Sequence, residues 1–312
     1  NRGVCLNNLG RYEEAIASYD KALEIKPDYH SAWNNRGISL DDLGRYEEAI
    51  ASYDKAVEIN PDDHSAWNNR GVSLENLGRY EESIASYDKV VEIKPDYSLA
   101  FANRGDVYRC LGQPQSALTD LNRALELKPD YTWTLATRAQ TYGQMQQYEM
   151  ALQDIERAIE IDPEDTFAIG YRGQVYLWQH RYADALDSFK QALEKEPDDD
   201  WTLYLRALAT AKLADVDAPA TTSSADLTQA IHLAQTTKEK DPDNWFNYFN
   251  LALYHLAAGH PPDADHLYQT GFDTAPNWAL RMATRDLRDY LSLFPNDAAA
   301  QTWHNQLNQT SQ

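Results

Sequence analysis

Cysteine is nearly absent from the 312 residues: only Cys5 and Cys110 occur. Two thiols cannot build a disulfide framework, and their scarcity suits a reducing compartment, so a cytoplasmic location is expected. Long apolar runs are missing too. None approaches the roughly 20 residues that a membrane-spanning helix needs, and the first residues show no signal-peptide pattern. Positive charge is in short supply, with 28 Lys and Arg against 49 Asp and Glu for a net charge of -21. A chain without a basic face has little with which to displace counterions from nucleic acid or an anionic membrane, and neither is expected as a partner. The sequence also lacks a Walker loop, GxGxxG, HExxH and CxxC, so no cofactor, metal or catalytic centre is expected from motifs.

What the chain has instead is repetition. Prolines stand at 27, 61, 95, 129, 163 and 197, each 34 residues after the last, and 242 and 276 resume the step. Gly10, Gly44, Gly78 and Gly112 keep the same phase, as do Tyr19, Tyr53 and Tyr87. Residues 30–63 match 64–97 at 27 of 34 positions. Self-similarity at this period is the mark of a helical solenoid, in which each unit buries its apolar face only against its neighbours.

Within one unit Ala32, Trp33, Gly37 and Leu40 recur at helical spacing, Gly44 supplies a left-handed stop, and Ala49, Ile50, Tyr53, Ala56 and Val57 form the face of a second helix that Pro61 ends. The pattern Trp33, Gly37, Leu40, Gly44, Tyr46, Ala49, Tyr53, Ala56, Pro61 resembles that of tetratricopeptide-repeat proteins, and the recurring "NRG" resembles bacterial-type repeats. The resemblance implies an all-α fold, a right-handed α-solenoid of tandem helix-turn-helix units. Units then begin at 30, 64, 98, 132, 166 and 200. An earlier unit enters only at its sixth position, Asn1, which implies that the solenoid was cut or continues upstream. The expected organisation is regular repeats over 1–199, diverged repeats over 200–278 with an exposed, mobile inserted loop at 215–225, and capping helices over 279–312.

The resemblance also implies that first helices line an inner surface, so each unit position becomes a column. Position 6 reads Asn1, Asn35, Asn69, Asn103, Thr137, Tyr171, Leu205, Asn250. Members of the family use such an asparagine ladder to hold a peptide main chain, and one carboxamide does offer both donors and an acceptor. Asn34 and Asn68, at position 5, lie within reach of the same ligand. Position 2 turns aromatic, with Trp133, Phe167 and Trp201, and Tyr171 and Tyr204 add rings at other inward positions. Rings of this kind make interface hot spots. A carboxylate clamp needs lysine or arginine at positions 5 and 9, where this chain has Asn34 and Ile38, Asn68 and Val72, Ala102 and Asp106. The clamp is absent.

Arg36, Arg70, Arg104, Arg138, Arg172 and Arg206 fill position 7, where the family usually has leucine. Buried guanidiniums need partners. Asp20, Asp54 and Asp88 recur with the same step and can supply them, and the match is expected to fail by the fourth unit, at Leu121 and Asn122. His255, His260 and His266 read as surface histidines, "PDDDW" at 197–201 as an acidic helix start, and "GISLD" and "GVSLE" as helix interior. The expected function is a non-catalytic scaffold that binds an extended protein or peptide segment, with self-assembly through open solenoid ends, or service as the regulatory arm of a larger protein, as the alternatives.

Overall fold

Each 34-residue period carries a glycine suited to a left-handed turn and a proline that ends a helix, and a helix hairpin lies between successive prolines. The structure is a computed structural model that describes residues 2–214, 224–242 and 244–310. Eighteen α-helices and no strand occur among them, and none of these helices is long and apolar enough to cross a membrane. The chain divides into two compact units, Asn1–Met145 and Gln146–Gln312.

The first unit holds the pairs α1 (Arg2–Asn8) and α2 (Tyr12–Ile25), α3 (His30–Asp41) and α4 (Tyr46–Ile59), α5 (His64–Asn76) and α6 (Tyr80–Ile93), α7 (Ser98–Cys110) and α8 (Pro114–Leu127), then α9 (Thr132–Gln144). The second begins with α10 (Tyr148–Ile161) and continues with α11 (Thr166–Trp178) and α12 (Tyr182–Lys195), and α13 (Asp200–Leu213) and α14 (Ser224–Lys240). It ends with α15 (Trp245–Ala257) and α16 (Pro261–Thr274), and α17 (Asn277–Leu293) and α18 (Ala298–Thr310). Of the insertion expected at 215–225, residues 215–223 lie outside the described residues, while Ser224 and Ala225 already belong to α14. Near the C-terminus Trp303 of α18 stacks on Tyr268 of α16 and donates its indole N–H to Asp265 at 2.6 Å.

The hairpin turn is set by backbone freedom. Gly44 has φ +72°, a region costly for L-residues, and its N–H donates to Asp41 O at 2.8 Å while that of Arg45 donates to Leu40 O at 2.9 Å. These two bonds satisfy carbonyls that the end of α3 would otherwise leave open. Gln146 and His180 take the same turn at φ 58° and 60° without glycine.

The close approach within a pair is set by a ring on a missing side chain. A Cβ added to Gly37 would lie 2.5 Å from Cε1 of Tyr53, and the same relation joins Gly3 to Tyr19, Gly71 to Tyr87 and Gly173 to Phe189. Tyr53, Tyr87 and Phe189 are fully buried, and burial of one such ring contributes about 2–3 kcal/mol. In α3 and α5 a tryptophan ties the first helix to the turn before it: Trp33 donates to Pro27 O at 2.8 Å and Trp67 to Pro61 O at 2.9 Å.

Between pairs runs the arginine column. Arg36 donates to Asp20 at 2.7 Å and to Ser52 at 2.6 Å, and Arg70 to Asp54 and Ser86, both at 2.7 Å. Arg104 takes Asp88 at 2.6 Å and grips Asp120 with two N–H groups. The column does not lapse after the third pair, as the sequence suggested. Asn122 accepts from Arg138 at 2.8 Å, Ser188 and Gln191 accept from Arg172, and Asp226 takes a bidentate pair from Arg206. Asn122 and Ser188 keep the 16-residue step of the earlier partners, and Gln191 lies three residues beyond it, which the long arginine side chain spans.

Replacing Gly37 by alanine pushes a methyl group into the Tyr53 ring. We expect Gly37→Ala to destabilise the protein by about 1–3 kcal/mol, and thermal unfolding followed by circular dichroism measures it; an unchanged midpoint would show that the ring yields without cost.

Candidate peptide-binding face

Adjacent first helices α3, α5 and α7 carry the amides, and the amides touch each other. The Asn69 side chain donates its N–H to Asn34 Oδ1 at 3.1 Å, and that of Asn103 donates to Asn68 Oδ1 at 3.4 Å. Position 6 of one helix therefore bonds to position 5 of the helix before it. Asn103 also hydrogen-bonds to the hydroxyl of the buried Tyr87. Asn35, half-buried on α3, has no hydrogen bond to its side-chain amide among the described residues; its main-chain carbonyl accepts from Ser39 at 3.2 Å. Asn68 is only 5% exposed. With its carbonyl engaged and its side chain covered, Asn68 serves the helix-to-helix contact and is withdrawn from the set of ligand contacts. Asn34, Asn35, Asn69 and Asn103 stay half-buried at the surface.

Beneath this stripe runs a polar relay that repeat-by-repeat reading of the sequence missed. Ser39 donates to Asn7 at 2.5 Å, Ser73 to Asp41 at 2.6 Å, and the buried Tyr53 hydroxyl to the other oxygen of Asp41 at 2.6 Å. Each residue at the end of a first helix thus joins its own hairpin to the next. Burial raises the Asp41 pKa, against the two hydrogen bonds that lower it. The signal was present as a serine at 39 and 73 and an amide or acid at 7 and 41, each pair 32 residues apart.

The relay changes at Glu75. Tyr87 still donates to it, at 3.3 Å, but Val107 stands where a serine would face it, and the neighbouring acid is Asp106, held by Arg109 at 2.7 Å. Burial, with the Asp106 charge adding to it, pushes the Glu75 carboxyl up to about 8. Glu75 is thus held protonated at neutral pH.

The aromatic residues divide into two groups. Trp133 in the first unit is 41% exposed, and in the second unit Phe167 is 54% exposed and lies parallel to Tyr171, with centroids 6.3 Å apart. Trp201 is half-buried. Tyr171 and Tyr204, expected to face a ligand, are 8% and 2% exposed. Tyr171 meets Trp178 edge-on at 5.9 Å, and Tyr204 packs against Tyr254 of α15 at 5.0 Å. Tyr204 fills the space between neighbouring pairs, Tyr171 packs among the rings of its own helix, and both are buried. Phe246, at 46% exposure beside Trp278, continues the exposed position-2 column.

A hairpin repeated on a 34-residue step, with a glycine under a ring, a proline at each end and an amide-bearing face, defines a class of helical repeat protein. Family models described as tetratricopeptide repeat match residues 1–29, 34–98, 99–164 and 167–199, and the chain belongs to the tetratricopeptide-repeat family. None of the curated proteins compared matches it. Among solved structures, a tetratricopeptide repeat protein from Parabacteroides merdae aligns with a TM-score of 0.66 at 18% identity, covering 81% of this chain and 96% of that one. A monomeric IFIT1 mutant with Gppp-AAAA gives 0.60 at 18% identity over 98% of this chain and 76% of the other. The Cut9–Hcn1 hetero-tetramer of the APC/C gives 0.57 at 15% identity over 95% and 52%. At these identities the likeness is one of fold.

Because the folded-state pKa of Glu75 lies above its ordinary 4.5, the folded protein binds that proton more tightly than the unfolded chain. Its contribution is therefore fully present below about pH 4.5 and is lost as pH rises to about 8. We expect Glu75→Gln to flatten the loss of stability between pH 5 and 8, as read from urea midpoints; parallel wild-type and variant curves would place the ionised carboxylate in a better-solvated setting.

Proposed function

We propose that the chain is a non-catalytic interaction scaffold that holds an extended segment of another protein along the amide stripe of α3, α5 and α7. One observation carries the reading. Asn69 and Asn103 each use an N–H to fix their side chains against the preceding helix, which leaves Asn69 an N–H and a carbonyl, and Asn103 a carbonyl, with capacity for another partner, while the Asn35 side chain has no hydrogen bond among the described residues. An amide already held in one orientation loses little freedom when a ligand arrives. Extended peptide presents N–H and C=O in alternation, and carboxamides can answer both.

Each such bond contributes about 0.5–1.5 kcal/mol net, so several must act in register. Side-chain selectivity then falls to exposed rings: Trp133 in the first unit and, in the second, Phe167 and Trp201. Tyr171, Tyr204 and Asn68 support these surfaces from beneath. A protein partner also accords with the excess of acidic residues, since it needs no basic face.

The test begins with peptides selected from a random displayed library against the whole protein. Replacing Asn35, Asn69 and Asn103 together by alanine should weaken binding of the selected peptides by about tenfold or more, with the helical signal and unfolding midpoint largely kept. Unchanged affinity in a folded variant would remove the amide stripe from the binding mechanism. Phe167→Ala, by contrast, should change which peptides are selected more than it changes fold stability.

A further inference from the structure

The turn between α15 and α16 lacks the arginine common among the earlier hairpins, of which two already carry Gln113 or Gln147 in its place. In four of them the residue just before the second helix is arginine, and it grips an acid three residues on: Arg11 with Glu14, Arg45 with Glu48, Arg79 with Glu82, and Arg181 with Asp184, at 2.6 or 2.7 Å. At the equivalent places the last repeat hairpin has His260 and Asp263. It also has His255 where earlier first helices carry Leu6, Leu40 and Leu74. The substitutions remove a permanent cation and bring in two imidazoles. Asp263 makes no ion pair to lysine or arginine among the described residues; the nearest basic group is His255 Nδ1, at 3.9 Å.

We infer that His255, His260 and Asp263 form a binding site for a divalent transition-metal ion of the zinc type. One ligand atom from each lies within 4.8 Å of the others. Tetrahedral ligands at the usual zinc distances are about 3.4 Å apart, so small rotations of the exposed His260 and Asp263 side chains complete the set. The turn itself preorganises it: Gly259 adopts φ +73°, and the His260 N–H donates to His255 O at 2.8 Å, which locks the two histidine backbones together and places their rings 5.8 Å apart.

A second, independent observation points to a ligand here. His255 Nδ1 is buried and has no hydrogen-bond partner, and an unsatisfied buried polar atom is costly. A metal ion would satisfy it and would supply the positive charge that arginine gives in four other hairpins. Two imidazoles and one carboxylate favour zinc, cobalt or nickel over magnesium or calcium, which prefer all-oxygen surroundings. Three protein ligands leave a position for water. His266 lies near in sequence, but it is exposed on α16 and is no part of the group.

The experiment uses the whole chain, stripped with chelator and titrated with Zn2+ by calorimetry and with Co2+ by visible absorption. The expected result is saturable binding of one ion per chain, with the intense bands of low-coordinate cobalt. His255→Leu and His260→Arg restore the residues that other hairpins of this chain carry, so both should fold, and each should weaken binding at least tenfold. Asp263→Asn should do the same, and His266→Gln should leave binding unchanged. Absence of saturable binding in the wild type, or equal binding in His260→Arg, would overturn the assignment. An unchanged midpoint for His260→Arg without metal separates loss of a ligand from loss of the fold.

Discussion

The tyrosine ring lying on a glycine is the contact from which the rest of the repeat follows. With no Cβ on Gly37, the Tyr53 ring can sit against the backbone of α3, and its length then carries the hydroxyl to the end of that helix, where Asp41 accepts it. The second oxygen of Asp41 is left for Ser73 of the next hairpin. Packing within one pair thereby decides how that pair is joined to the next. The chain varies these residues together. Where Leu121 or Phe189 replaces the tyrosine, no hydroxyl reaches the helix end, and the residues there are Arg109 and Leu177 instead of an acid. In the last repeat hairpin the relation is reversed: Gly271 on the second helix accommodates Phe249 from the first.

A second layer lies between pairs and is ionic. A stack of guanidiniums in a half-buried seam is tolerable only if each is hydrogen-bonded, and here each of Arg36, Arg70 and Arg104 meets an acid contributed by the second helix of the preceding pair. Arg104 has the most complete set, with two acids. The planar fork of arginine suits this role better than lysine because it can reach two helices at once. In a chain of net charge -21, these buried cations also offset part of the repulsion among surface acids.

Most of the fold was legible because the information is redundant. A proline, a glycine and a ring recur often enough that phase, helix pairing and turn position follow from spacing alone. The arginine–aspartate links of the first three hairpins were legible for the same reason. What spacing could not reveal was the direction of a side chain once it had a choice of partners. Asn34 and Asn68 occupy equivalent positions, yet one is half-buried and the other covered, because the neighbouring repeat differs. Tyr171 and Tyr204 occupy positions that hold asparagine or smaller residues in the earlier repeats, and a large apolar ring there gains more by burial than by facing water. Asp263 looked like any acid in a first helical turn; only the missing arginine before it marks the difference.

The half-engaged amides bear on how such a face can be both stable and receptive. A fully satisfied stripe would have nothing to offer a ligand, and a fully unsatisfied one would bind water and rotate freely. Asn69 lies between these limits: one bond fixes the plane of its carboxamide, and the remaining donor and acceptor keep a set direction. Orientation established during folding does not have to be established again on binding, so the net gain per contact moves toward the upper part of the hydrogen-bond range. The same bonds couple neighbouring helices, since Asn69 is held by α3 and Asn103 by α5. On the proposed reading a ligand bonded to one amide would draw on two helices, and extended chains spanning several repeats would be favoured over short ones.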